Sequence, residues 1–134
     1  MARTICKIVG IAFIGVAVWG FAAGDKVLMF QVNTAQNILH LLTGIAAFHF
    51  GYRTEHSART CAAALAAIYG IVGVLGILGA APVVSRLNLN TPDNLLHIVC
   101  GAVFFAAAFA EQIGISRYFG RTESQLPPGG QLQH

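Results

Sequence analysis

Asn33-Thr34-Ala35-Gln36-Asn37-Ile38-Leu39-His40-Leu41-Leu42-Thr43-Gly44 returns later in the chain as Asn90-Thr91-Pro92-Asp93-Asn94-Leu95-Leu96-His97-Ile98-Val99-Cys100-Gly101, displaced by 57 positions (90 − 33). Asn-Thr, the inner Asn, His and Gly fall in register, as do Phe48 and Phe105 further on. Agreement at so many polar and small positions within apolar surroundings marks a duplicated structural unit. The two copies set the expectation for everything around them.

Those surroundings exclude an ordinary water-soluble domain. Of 134 residues, 56% are hydrophobic and only 10% charged, against roughly 25% charged in soluble domains. Four apolar runs stand out: Ile5 to Ala23, Thr34 to Phe50, Thr60 to Ala81 and Thr91 to Gly114. Each approaches or exceeds the length that crosses a hydrocarbon core of roughly 30 Å. Backbone groups in lipid must be satisfied within their own segment, so each run is expected to be a helix. The sequence therefore predicts an all-α fold: a four-helix transmembrane bundle of two duplicated parallel helical hairpins. A four-span membrane domain covers 1–115, with repeats at 5–52 and 60–114, and a cytoplasmic irregular tail covers 116–134. Arg3 and Lys7 before an apolar stretch also resemble a signal peptide. The duplication requires a first helix to match the third, so this run is read as a retained span.

The net charge of +3 would suggest nucleic acid in a soluble protein. Here the basic residues flank apolar spans, so no nucleic-acid partner is expected. Arg3, Lys7, Arg53, Arg59, Arg117 and Arg121 fall on one side, against Lys26 and Arg86 on the other. That bias puts both termini and the middle loop in the cytoplasm of a bacterial inner-membrane protein. The lipid bilayer is one expected partner; other membrane subunits, or a second copy, are the others. Gly70, Gly73, Gly76 and Gly79 make a groove around the third span, and Gly20 and Gly24 form a G-x-x-x-G. Small residues of this kind let helices approach closely in lipid. Cys6, Cys61 and Cys100 sit singly, with no C-x-x-C, and are read as small apolar thiols.

Thr34 and Thr91 are N-cap candidates, with Pro92 at the first helical position and Asp93 in the first turn. The linkers from Asp25 to Asn33 and from Pro82 to Asn90 are alike in length and are expected along the membrane surface. Helical spacing puts Asn37, His40, Gly44, Phe48 and Gly51 on one stripe, with Asn94, His97, Gly101, Phe105 and Ala108 as its counterpart. An ionisable residue inside a span marks a functional hypothesis. Three readings follow. The Asn and His side chains clasp the two hairpins in register; or His40 and His97 ligate a haem or chlorophyll-type pigment, with Asn37 and Asn94 beside them and Gly44 and Gly101 making room for the ring; or the four polar residues hold a metal or small polar ligand. No dedicated metal site is expected, because no carboxylate or thiolate occupies matching positions.

His49 lies on another face without a counterpart, and His56 belongs to the cytoplasmic loop. Glu111 is read as an interfacial ion pair with Arg53, Arg59 or Arg117. Trp19 and Tyr52 stand near helix ends, where aromatic belts form. In the tail, Tyr118 and Phe119 are placed at the interface, beside Arg117 and Arg121. No nucleophile–base pair, phosphate loop or carboxylate pair supports an enzyme.

The twin N-x-x-H-x-x-x-G segments, carried by Asn37, His40, Gly44, Asn94, His97 and Gly101, resemble a bacterial family of small four-span membrane proteins, domain of unknown function 4383. The resemblance covers Ile8 to Gly114 and implies the four-span fold, without an activity. The functional expectation is a non-catalytic structural or accessory subunit of a larger respiratory or photosynthetic membrane complex. The alternatives are a haem- or pigment-binding protein using His40 and His97, and a small-solute or metal transporter.

Overall fold

The computed structural model describes residues 1–110, 112 and 114. Among them are five helices, α1 (Ala2–Ala23), α2 (Thr34–Gly51), α3 (Glu55–Ile77), α4 (Ala81–Leu87) and α5 (Thr91–Phe109). A short antiparallel ribbon, β1 (Lys26–Val27) and β2 (Phe30–Gln31), joins α1 to α2. The two linkers thus differ: the first is a β-ribbon that turns at Leu28 (φ 55°), the second a helix closed by left-handed Asn88. Pro82 explains the second, since proline is well placed in the first turn of a helix and β1–β2 has none.

Both Thr N-caps are corrected. Asn33 caps α2 by accepting from the Gln36 amide at 2.9 Å, and Asn90 caps α5 by accepting from the Asp93 amide at 2.9 Å. Asn outranks Thr at this position, and the threonines move into the first turn, with Pro92 one residue further in. α3 starts earlier than its apolar run, because Thr54 caps it through the Ser57 amide.

Three helices, α1, α3 and α5, are long and apolar enough to cross a membrane. α2 is diluted by Gln36, Asn37, His40, Thr43 and His49. α1 packs chiefly on α2, and α3 chiefly on α5. Between these pairs lies a core of Phe13, Leu65, Tyr69 and Phe104 with alanines and Cys6. Outward-facing Ile8, Ile11, Ile71, Ile77 and Leu95 are more than half exposed, giving the bundle an apolar exterior suited to lipid acyl chains.

The buried positions of the two pairs correspond. α1 buries Ala2, Cys6, Gly10, Phe13, Ala17 and Gly20; α3 buries Ala58, Ala62, Ala66, Tyr69, Gly73 and Gly76, each 56 further on (69 − 13). α2 buries Gln36, Asn37, His40, Gly44, Ala47 and Gly51. α5 buries Asp93, Asn94, His97, Gly101, Phe104 and Ala108, each 57 further on (97 − 40). The expected stripe holds at its last members, Gly51 and Ala108, but passes through Ala47 and Phe104 in place of Phe48 and Phe105, and Phe105 is exposed. Seven residues make slightly less than two turns at 3.6 per turn, so the contact line runs through 40, 44, 47 and 51.

One end of the bundle gathers the charged groups. The N-terminal ammonium pairs with Glu55 at 3.1 Å, Arg3 donates to the Gly51 carbonyl, and Lys7 lies over the Tyr52 ring. His49 is exposed and accepts from Arg53, and His56 is exposed. Gly24 closes α1 at φ +91°, so its part in a G-x-x-x-G is that of a helix terminator. Cys6 and Cys61 are not isolated from each other: Cys61 packs against the core cluster that holds Cys6. The expectations for Glu111, Tyr118, Phe119, Arg117, Arg121 and the 116–134 tail fall outside the described residues.

Candidate functional site

The duplicated motif builds a polar layer at the end opposite the charged groups. Its outermost members are the two capping asparagines, each of which does two jobs. The Asn33 Oδ1 caps α2, while its Nδ2 donates to the Arg86 carbonyl in the other pair's linker at 2.8 Å. The Asn90 Oδ1 caps α5, while its Nδ2 donates to the Met29 carbonyl in the first linker at 2.9 Å. Each helix pair thus holds the other's linker by the same side chain.

One turn inward sit Gln36 and Asp93, 3% and 1% exposed. With its amide nitrogen turned toward the two carbonyls, Gln36 donates to Gln31 at 2.8 Å and to Leu87 at 2.9 Å, touching both linkers. Asp93 closes a capping box by accepting from the Asn90 amide, and also accepts from the Gln31 amide at 3.2 Å. Asn37 and Asn94 follow on the next position. Their Oδ1 atoms have no conventional donor among the described residues. A Cβ on Gly20 would overlap the Asn37 carboxamide, and one on Gly76 would overlap that of Asn94. The glycine Cα–H therefore points at the amide oxygen, a weak C–H···O contact that any side chain would abolish.

Below these lies a quartet of rings, one from each long helix. His40 and His97 face each other with centroids 6.2 Å apart and planes inclined by 30°. Phe13 packs on His40 at 5.3 Å and Tyr69 on His97 at 5.4 Å, and Phe13 and Tyr69 meet at 5.0 Å. Both imidazoles are 7% exposed. His97 Nδ1 lies 2.7 Å from the Asp93 carbonyl, which can only accept, so this nitrogen carries the proton. His40 Nδ1 has no partner among the described residues. The Tyr69 and Thr43 hydroxyls bond to each other at 2.8 Å.

The structure brings together His40 and His97, as a shared site requires. The six candidate residues do not converge on one point, however. Asn37 and Asn94 are committed to Gly20 and Gly76. Gly44 and Gly101 face neighbouring backbone, with their Cβ positions 3.0 Å from the Gly10 carbonyl and 2.9 Å from the Gly70 amide. Neighbouring backbone takes up that space. The void beside the histidines measures about 110 Å³, below the roughly 300–1,000 Å³ of ordinary ligand pockets. With Phe13 and Tyr69 filling the flanks, the arrangement has no room for a haem or chlorophyll-type ring between the imidazoles. No cluster of three or more His, Cys, Asp or Glu with metal-binding geometry occurs among the described residues.

Phe13, Tyr69, Gly20 and Gly76 were not among the candidates, because the repeat between α1 and α3 preserves size and burial more than identity. The shift of 56 there, against 57 between α2 and α5, is the signal that aligns them.

The family model described as "Domain of unknown function (DUF4383)" matches residues 1–52 and 23–110, and the chain belongs to that family. Neither the curated proteins nor the solved structures contain a match.

Proposed function

We propose that this family member is a four-span protein of the bacterial inner membrane, built from two duplicated parallel hairpins, that serves without catalysis as a structural or accessory subunit of a larger membrane complex. The observation that carries this reading is the reciprocal clasp. Asn33 reaches the second linker and Asn90 the first, so the duplicated polar motif is occupied with joining the two halves. Interhelical polar bonds of this sort contribute about 1 kcal/mol each in membranes.

The four-span reading also has support from α2. Its 18 residues reach about 27 Å at 1.5 Å per residue, close to the hydrocarbon thickness. Gln36, Asn37 and His40 are buried, while Ile38, Leu39, Leu42 and Ile45 are exposed. Three of the residues that dilute its hydropathy, Gln36, Asn37 and His40, are therefore turned away from lipid. Arg3, Lys7, Arg53 and Arg59 cluster near the Met1–Glu55 end, which the positive-inside rule assigns to the cytoplasm. On the exterior, Ala63, Ala67 and Ala102 line a shallow lane beside Phe105 and Phe109, where small residues would let a partner helix approach.

The test is native electrophoresis of gently solubilised membranes, with cysteine labelling of the Asp25–Asn33 linker to fix topology. The expected result is migration in an assembly well above the 14.1 kDa chain, with the linker labelled from outside. A lone monomer with substrate-dependent turnover would overturn the accessory role. An absorption spectrum of the same sample checks the pigment alternative, for which a Soret or chlorophyll band lost in His40→Ala/His97→Ala is the required signature.

A further inference from the structure

The void beside the histidines has a form that the clasp does not explain. Its roof is the β-ribbon, through Val27, Leu28 and Phe30, and its walls include Phe13, Trp19 and Leu96. The polar members of its lining are His40, His97, Gln36 and Asp93. Gln36 and Asp93 already hold backbone partners. The imidazoles are less fully used. His97 places its proton on the Asp93 side, which leaves Nε2 as an acceptor in the neutral ring. His40 lacks a partner at Nδ1 and makes no side-chain hydrogen bond to another described residue, and it is more than nine-tenths buried.

A volume of about 110 Å³ is close to that of a cavity of roughly 150 Å³ that takes one benzene ring. The apolar walls favour such a ring over a water cluster, which would need polar partners on several sides. Trp19 and Leu28, both more than half exposed, stand at the rim, so entry is from the bilayer side.

We propose that this space binds the hydroxylated ring of a lipid-soluble phenol, the chemistry of a quinol head group, with its hydroxyl donating to His97 and held by His40, and its apolar chain leaving past Trp19 into the lipid. The inference rests on the four-span reading only for the route of entry. It is independent of membership in a larger complex.

Trp19 is the sole tryptophan of the chain, so its emission, corrected for the absorption and emission of the probe, reports on the rim without a contribution from another tryptophan. Purified full-length protein in lipid nanodiscs is titrated with decylhydroquinone, and in parallel with the same molecule methylated on both oxygens. The expected result is a saturable change with the free hydroquinone and only a non-saturating slope with the ether. His40→Leu should weaken binding by about tenfold, the value of one lost hydrogen bond of roughly 1.4 kcal/mol. Val27→Phe, which fills the space from the roof, should abolish it. An absent saturable response in the wild-type protein, or equal responses to quinol and ether, overturns the inference, whether or not the variants fold. A sound topology map with a negative titration sinks this inference alone, while a map without four spans sinks the reading above.

Discussion

In the first helix pair, α1 brings a phenylalanine to the ring quartet; in the second, α3 brings a tyrosine to the matching position. The residue opposite changes with it. Tyr69 has a hydroxyl and finds Thr43 at 2.8 Å. At the position matching Thr43 stands Cys100, which borders the same ring cluster that holds Phe13. At these matched positions the ring hydroxyl occurs in the half where a second hydroxyl faces it. The histidines differ as well: His97 is anchored to the Asp93 carbonyl, while His40 is not anchored through Nδ1. The two halves thus share a frame and divide their polar chemistry. Most buried polar groups are hydrogen-bonded, so a hydroxyl gained in one half calls for a partner in the other.

The shared frame includes the two glycines under the asparagines. Gly20→Ala and Gly76→Ala would each drive a methyl group into the carboxamide of a buried asparagine, which must shift to admit it. Overpacking of this kind costs about 1–3 kcal/mol, and the comparison predicts similar losses at both sites. Gly70→Ala is the contrast, because its Cβ position is open and alanine favours a helix over glycine by about 1 kcal/mol. SDS-induced unfolding in mixed micelles, followed by circular dichroism, measures all three. Tolerance of alanine at Gly20 but not Gly76 would show that the two halves do not share this contact.

Much of this frame was legible before any coordinates. The spacing of Asn37, His40 and Gly44 located one buried face of α2, and the second copy located its equivalent on α5. What escaped was the partner of each residue. Spacing along one helix places side chains on a face and is silent about the neighbouring helix. The Asn37–Gly20 and Asn94–Gly76 contacts are therefore visible only in three dimensions, as is the filling of Gly44 and Gly101 by backbone. The threonine caps failed for a local reason: Asn-Thr offers two capping residues in succession, and the better acceptor geometry of Asn decided between them. The linkers matched in length alone, and Pro82 in one made a helix where the other made a ribbon.

The capping asparagines give the next prediction, and it separates the halves. Asn33→Ala and Asn90→Ala should each cost about 1–2 kcal/mol, from the cap together with the bond to the opposite linker. Aspartate at either position keeps a capping oxygen but loses the Nδ2 donor. At position 33 the neighbour three residues on is Gln36, and the expected loss is below that of alanine. At position 90 it is Asp93, whose carboxylate already accepts from the Asn90 amide. Two carboxyl groups then meet in one capping box, so Asn90→Asp should be the more damaging of the pair. Equal losses in the same unfolding assay would mean that Asp93 does not act through the box.

The smallest expected effect tests the division of polar chemistry itself. Tyr69→Phe removes one hydroxyl, while Thr43 retains its own bond to the Leu39 carbonyl at 2.7 Å. The cost should therefore lie near the average of about 0.6 kcal/mol measured for side-chain bonds between membrane helices. A double-mutant cycle with Thr43→Cys, which gives the second half the pairing of the first, should return a coupling of that size. The reciprocal change is the more searching one. Phe13→Tyr alone places a hydroxyl where Cys100 offers only a weak sulfur acceptor, and an unsatisfied buried hydroxyl costs about 1–3 kcal/mol. Phe13→Tyr with Cys100→Thr should recover part of that loss, because it rebuilds across α1 and α5 the contact that α3 and α2 already make. Recovery would show that the two sites are equivalent frames differing only in the side chains they carry. Its absence would mean that packing around Phe13, 8% exposed, has diverged too far to admit the hydroxyl.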